Sequence, residues 1–436
     1  MSITNTRQRG LARTQRPERH QVEMQLLALD ELIDRDHRVR LVWQYVDSLD
    51  LGCLYESIKA VEGNVGRNPI DPQILFALWL YATVDGVGSA RKLAKLCVES
   101  MPYRWICGGV SVNYHTLADF RSGNGDLFEK LMVQSVAVLV NQDLIPLETI
   151  AQDGMRVRAN AGTGSMRRKP TLERLLGEAK EHFEKLTADG EQDDYVEELD
   201  NRKKAAQKRA AREKAERIQA ALEELEEIND KRGDNKRETD STRASMTDPE
   251  ARRMKMANGG FNPALNVQFA TDGDTRIIVG VDLTNSGGDG SQMLPMFQRL
   301  VSDYGKTPQE YLVDGPYATR SDITELEKAG TRVLAPIPFE NKMIRNGTDP
   351  TARQPKDTDE MAAFRKRMGT DEAKERFKLR SSIAEFPNAD CRNRGLRQFA
   401  VRGLWRAKGQ ALLHALAHNL MRFLRLEMLP ALAQGT

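Results

Sequence analysis

Asp153 stands at the centre of LETIAQDGMRVR (147–158), and Asp314 closes a second apolar stretch, YLVDGPY. A third acid belongs to the region that opens with RFKLRSSIAEFPNADCRN. Between Arg376 and Lys408 only Glu385 and Asp390 are acidic, among nine basic residues, a local charge of about +7 in a chain whose formal total is +2. Glu372 and Glu375 lie just upstream as rivals for that third place. Separated carboxylates that converge beside a cationic surface are what divalent-metal chemistry on phosphodiesters requires. Carboxylate oxygens are hard ligands for Mg2+, which keeps several waters and accepts phosphate oxygens. Two such ions about 3.5 to 4 Å apart can activate an attacking oxygen and stabilise a leaving one. Arg376, Arg380, Arg392, Arg394, Arg397 and Arg402 are the candidates to hold the phosphates.

The elements that must position these acids are legible as periodicities. Ile150, Met155 and Val157 anchor a strand around Asp153, and Gly154 marks a bulge or a close approach. Leu265, Val267 and Phe269 alternate, as do Ile277, Val279 and Val281, with TDGD between them, which predicts a hairpin. Met293 to Tyr304 reads as a helix. The next segments read as a strand ending at Asp314, a turn and helix, and then the strand TRVLAPIP. The polar stretch to about Arg376 reads as loop with some helix. The chain closes on the periodic helix ALLHALAHNLMRFLRLEML, where His414 and His418 read as structural, since no HExxH glutamate accompanies them.

Upstream of the acids the signals are helical. Met1 to His20 forms a basic tail with Arg7, Arg9, Arg13, Arg16 and Arg19. From 21 to 140 an all-α, DNA-binding domain is expected. Val39, Val42, Trp43 and Val46 repeat at helical spacing, and Pro72 opens a helix behind Asp71 with Leu75, Leu78, Trp79 and Ala82 on its apolar face. Ser89 is placed to cap ARKLAKLC. Tyr103 to Arg121 suits a helix-turn-helix entered at Tyr114 or Thr116. Within the remaining domain, 141–436, the charged segment 167–243 predicts an inserted helical hairpin. Its two apolar sets are Leu172, Leu175, Leu176, Phe183, Leu186 and Ile218, Leu222, Leu225, joined by ADGEQDD.

Composition narrows the class. The 436 residues allow several domains, and 40% hydrophobic with 29% charged residues is ordinary for a globular protein. Cys53, Cys97, Cys107 and Cys391 form no CxxC pair, which argues against a disulfide framework or a cysteine zinc cage. No run of about 18 apolar residues occurs, and the N-terminus lacks an apolar signal core, so a cytoplasmic protein is expected, nucleoid-associated through the DNA-binding segments read above.

Taken in order, QDGMRVRANAG, MKMANGGFNPALNVQFATDG, VDGPY, the set Arg380, Glu385, Arg392, and NRGLRQFAVRGL with the ALAHNLMR helix resemble the DDE transposases of bacterial insertion sequences. The resemblance covers most of the chain. It implies an α/β RNase H-like catalytic core, a mixed sheet flanked by helices, and metal-dependent cleavage and joining of DNA ends. It implies Asp153, Asp314 and Glu385 as catalytic and metal-binding acids, two Mg2+ or Mn2+ ions, double-stranded DNA as partner, and a homodimer or higher assembly. Phe377 stands where the family often has tyrosine, and Pro316 where it often has glycine. Two other readings share the same residues: a silent copy that holds DNA without cutting it, and an assembly protein that dimerises through the helical insert.

Overall fold

The computed structural model describes residue 20 and residues 26–61, 68–188, 198–230 and 242–434. The arginine-rich tail, apart from His20, and most of ADGEQDD lie outside the described residues. Helices α1 (Arg38–Asp47), α2 (Gly52–Glu56), α3 (Pro72–Val84), α4 (Ala90–Glu99), α5 (Met101–Cys107), α6 (Tyr114–Gly123) and α7 (Gly125–Asn141) precede the first strand. Their starts follow from local chemistry. The Asp71 carboxylate accepts the Gln73 amide at 2.8 Å ahead of Pro72, Ser89 Oγ accepts from Lys92, and Asn113 accepts from Thr116 at 3.0 Å. Gly108, in the left-handed conformation, ends α5 and turns the chain towards α6. The α3 helix is buried around nearly its whole circumference, not along one face. It lies between α1 and a C-terminal helix, so every side of it meets protein.

The first strand, β1 (Thr149–Arg158), leads into an excursion made of β2 (Met166–Arg167), α8 (Lys169–Ala188), α9 (Glu198–Asp230) and β3 (Ala244–Ser245). Leu172, Leu176 and Ala179 pack on Ile218, Ala221 and Leu225 in a small core separate from the main one. The sheet then continues with β4 (Arg252–Lys255), β5 (Phe261–Asp272) and β6 (Ile278–Thr284), crosses through α10 (Met293–Tyr304) to β7 (Glu310–Leu312), and through α11 (Arg320–Lys328) to β8 (Arg332–Leu334). Its strand order is β4-β5-β1-β7-β8, with β6 also beside β5. Pairings are antiparallel from β1 towards β4, β5 and β6, and parallel from β1 through β7 to β8.

The β5–β6 hairpin turns where expected. Asp272 fixes it by accepting from the Thr275 amide at 2.8 Å and hydroxyl at 2.7 Å. Alternation in β5 does not mark an exposed face, because the strand is covered on both sides from Pro263 to Asp272. The shift in register falls at Ala270 and Thr271, whereas β1 stays in register through Gly154 opposite Gln268. The strand after α11 is shorter than TRVLAPIP suggested, and the polar stretch beyond it is more helical. It holds α12 (Glu340–Arg345), α13 (Asp359–Met368) and the start of α14 (Asp371–Asn393).

Two last helices complete the chain, α15 (Leu404–Arg425) and α16 (Leu429–Gln434). The apolar face of α15 joins the N-terminal helices and the sheet in one continuous core. It crosses α7 at two glycines: a Cβ on Gly409 would stand 3.0 Å from the Gly125 Cα, so side chains are excluded from that crossing. His414 and His418 are structural. His414 Nδ1 is 2.8 Å from the Gln410 carbonyl, and His418 spans the Asp390 carboxylate (2.8 Å) and the Arg276 carbonyl (2.9 Å). No helix among the described residues is long and apolar enough to cross a membrane.

Candidate active site

The sheet opens a crevice beside Asp153. Strand β1 pairs with β7 only from Thr149 to Ala151, opposite Glu310 to Leu312, so Asp153 lies just past the last parallel pair. Asp314 follows two residues beyond the end of β7, ahead of the short turn Gly315–Tyr317. Here the sheet changes from antiparallel to parallel, and the carboxyl ends of parallel strands at such a switch leave room for a ligand.

The third acid arrives on α14. Ile383, Ala384, Pro387, Asn388 and Cys391 are buried along that helix, which lies against β1 and β5. This packing brings Arg380 and Glu385 over the crevice. Arg380 is the common centre of the acids: its Nη1 is 3.7 Å from Asp153 Oδ1, and its Nη2 is 3.0 Å from Asp314 Oδ1 and 3.9 Å from Glu385 Oε1. Asn388, one turn beyond Glu385, donates Nδ2 to Asp153 Oδ2 at 2.8 Å. Glu375 pairs instead with Lys378 on the exposed side of α14, and Glu372 sits in its first turn. Neither is among the carboxylates around Arg380.

The crevice is costly for negative charge. Burial pushes the Asp153 carboxyl up to about 6, against the pull of the Arg380 guanidinium, and Asp314 and Asp289 act in the same direction as burial. Arg380 is itself 11% exposed, and its Nη1 makes no hydrogen bond. The Oδ1 of buried Asn388 is also without a partner. Anionic oxygens, an orphan amide oxygen and a cation between the acids describe a place that calls for positive charge.

A groove runs from these acids between basic side chains. Of the arginines proposed to hold phosphates, Arg392 and Arg397 line it, together with Arg156, Arg158 and Lys255, which the sequence reading left out. Arg156 is held in place by donating to the Lys255 and Gly287 carbonyls, each at 2.8 Å. The alternation of Arg156 and Arg158 with the buried Met155 and Val157 along one strand was the available signal. Other arginines of the +7 segment serve elsewhere. Arg376 is tied to Glu310 and to Thr149 at the start of β1, and Arg394 joins Asp390 at 2.9 Å and the Val84 carbonyl at 2.8 Å. Arg402 reaches Asn160 and lines a separate cleft beside α9. Phe377, which carries no hydroxyl, packs against the main core.

The donor set fits a hard divalent cation, although among the described residues no three Asp, Glu, His or Cys side chains already stand as a ligand cluster. Arg380 lies among the acids in that state. In comparisons with known proteins, residues 27–123 match the family described as Transposase domain (DUF772), and residues 231–420 match the one described as Transposase DDE domain. No curated protein and no solved structure matches the chain.

Proposed function

The chain belongs to the DDE transposases of insertion-sequence type, and on that premise we propose that it cleaves DNA ends and joins them to a target at Asp153, Asp314 and Glu385. One observation carries the assignment: side chains far apart in sequence all reach a single guanidinium, that of Arg380. The strand order of the sheet supports the RNase H-like core that a DDE domain implies.

Bound at these carboxylates, two Mg2+ or Mn2+ ions would supply Lewis acidity to the attacking and leaving oxygens. The three acids and the Asn388 amide oxygen would hold them. Arg380 keeps the acids together in the metal-free protein, and with ions bound at those carboxylates its guanidinium would be available to hold a phosphate. Arg156, Arg158, Lys255, Arg392 and Arg397 hold the DNA backbone along the groove. The N-terminal helices recognise the terminal repeats, with α6 presenting Tyr114 and His115 beside Arg91, whose guanidinium stacks 5.2 Å over the Tyr114 ring.

The decisive test is strand cleavage of a terminal-repeat duplex in Mg2+. Asp153→Asn is expected to abolish cleavage while leaving the gel-shift affinity intact. Cleavage at the wild-type rate would remove the catalytic assignment. The position of Arg380 among the acids favours one second reading, a protein that holds DNA without cutting it. That reading predicts no carboxylate-dependent Mn2+ binding in a calorimetric titration.

A further inference from the structure

Asp289, in the loop between β6 and α10, belongs to none of the roles above. Its Oδ1 accepts from Asn266 Nδ2 at 2.7 Å and from Gln268 Nε2 at 3.1 Å. Behind it runs a buried relay in which every donor points the same way. Tyr311 donates to Gln152 at 2.8 Å, Gln152 donates to Gln268 Oε1 at 3.1 Å, and Tyr317 donates to that same oxygen. The relay ends on the Asp289 carboxylate, which opens into the groove that Asp153 and Asp314 also line. No cation pairs with Asp289 among the described residues.

Two further observations point to a ligand. Asn266 is 1% exposed and lines the same groove, and its Oδ1 has no partner. Asn388, on the other side of Asp153, is 4% exposed and its Oδ1 is likewise unpartnered. Buried carbonyl oxygens without donors, beside a carboxylate without a counter-ion, leave a deficit that a cation with its waters would fill. The chain also makes room for Asp289. A Cβ at residue 154 would stand 2.5 Å from Asp289 Oδ1, so glycine next to Asp153 is what admits the fourth carboxylate.

We infer that Asp289 is a fourth acid of the centre and, with Asp153, forms a divalent-cation subsite at the open edge of β1. This rests on the reading of Asp153, Asp314 and Glu385 as a metal centre. The test is Mn2+ titration of the full chain by calorimetry and by electron paramagnetic resonance, comparing wild type, Asp289→Asn and Asp153→Asn. Asp289→Asn retains the oxygen to which Asn266 and Gln268 donate, so its melt in EDTA should match wild type. Its second Mn2+ step is expected to vanish or weaken at least tenfold. Asp289→Ser, tested for the same loss, guards against a fold defect peculiar to the amide. If both Asp289 variants bind Mn2+ like wild type while Asp153→Asn does not, the inference falls and the three-acid centre stands. If Asp153→Asn also binds like wild type, the three-acid reading falls with it.

Discussion

Asn388 donates its side-chain amide to Asp153 Oδ2 at 2.8 Å, tying the helix of Glu385 to the strand of the first acid. A hydrogen bond to a charged group contributes about 2 kcal/mol. If it fixes the Asp153 rotamer, Asn388→Ala should slow single-turnover cleavage roughly thirtyfold with DNA affinity unchanged. An unaltered rate would show that the packing of α14 alone sets the position of Asp153.

Arg380 neutralises three acids in the metal-free protein, so its loss should be felt most when no metal is present. Breaking a largely buried ion pair costs on the order of 3 kcal/mol, and Arg380→Ala should melt well below wild type in EDTA. Adding Mg2+ should then raise its melting temperature by more than it raises that of wild type, because binding to the folded state alone stabilises it. Equal responses to Mg2+ would mean that Arg380 and the ion do not compete for the same carboxylates.

The groove and the structural arginines should separate by salt. Arg397→Ala is expected to lower the slope of log affinity against log salt by about 1, the signature of one lost phosphate contact. Arg394→Ala, which leaves Asp390 with His418 alone and frees the Val84 carbonyl, should lower the urea midpoint and leave that slope as it was. Reversed behaviour of the two variants would exchange their roles.

His414 sets a pH limit on stability. Burial lowers it to about 4, below the roughly 6.5 of an unfolded histidine. The unfolded chain therefore binds the proton first, and stability drains as pH falls from about 6.5 to about 4, by roughly 3 kcal/mol in all. Asp153, raised to about 6, has the opposite sign over much of that window. Asp390 is pushed up by burial but held at about 2 by His418 and Arg394, so its contribution is lost only at lower pH. The useful quantity is thus the difference between wild type and His414→Gln in chemical denaturation. It should shift in favour of the variant as pH drops from 7 to 4, and a constant difference would refute the assignment.

The elements legible in the sequence are those whose signals lie within a few residues: the Asp71 and Ser89 caps, the helix entered at Tyr114, the TDGD turn fixed by Asp272, the helix from Met293 to Tyr304 and the paired helices of the insert. Each depends on a side chain meeting its own neighbouring backbone or on one apolar period, and such chemistry survives without the rest of the chain. The sequence also marked Asp153, Asp314 and Glu385 as acids worth bringing together. That they share Arg380, that Arg376 and Arg394 are engaged by Glu310 and Asp390, and that Asp289 rests against Gly154 came from the folded chain alone. Those relations follow from the pairing of β1 with β5 and β7 and from the docking of α14 on the sheet. Register and docking are set by contacts between residues hundreds of positions apart, which no local pattern encodes.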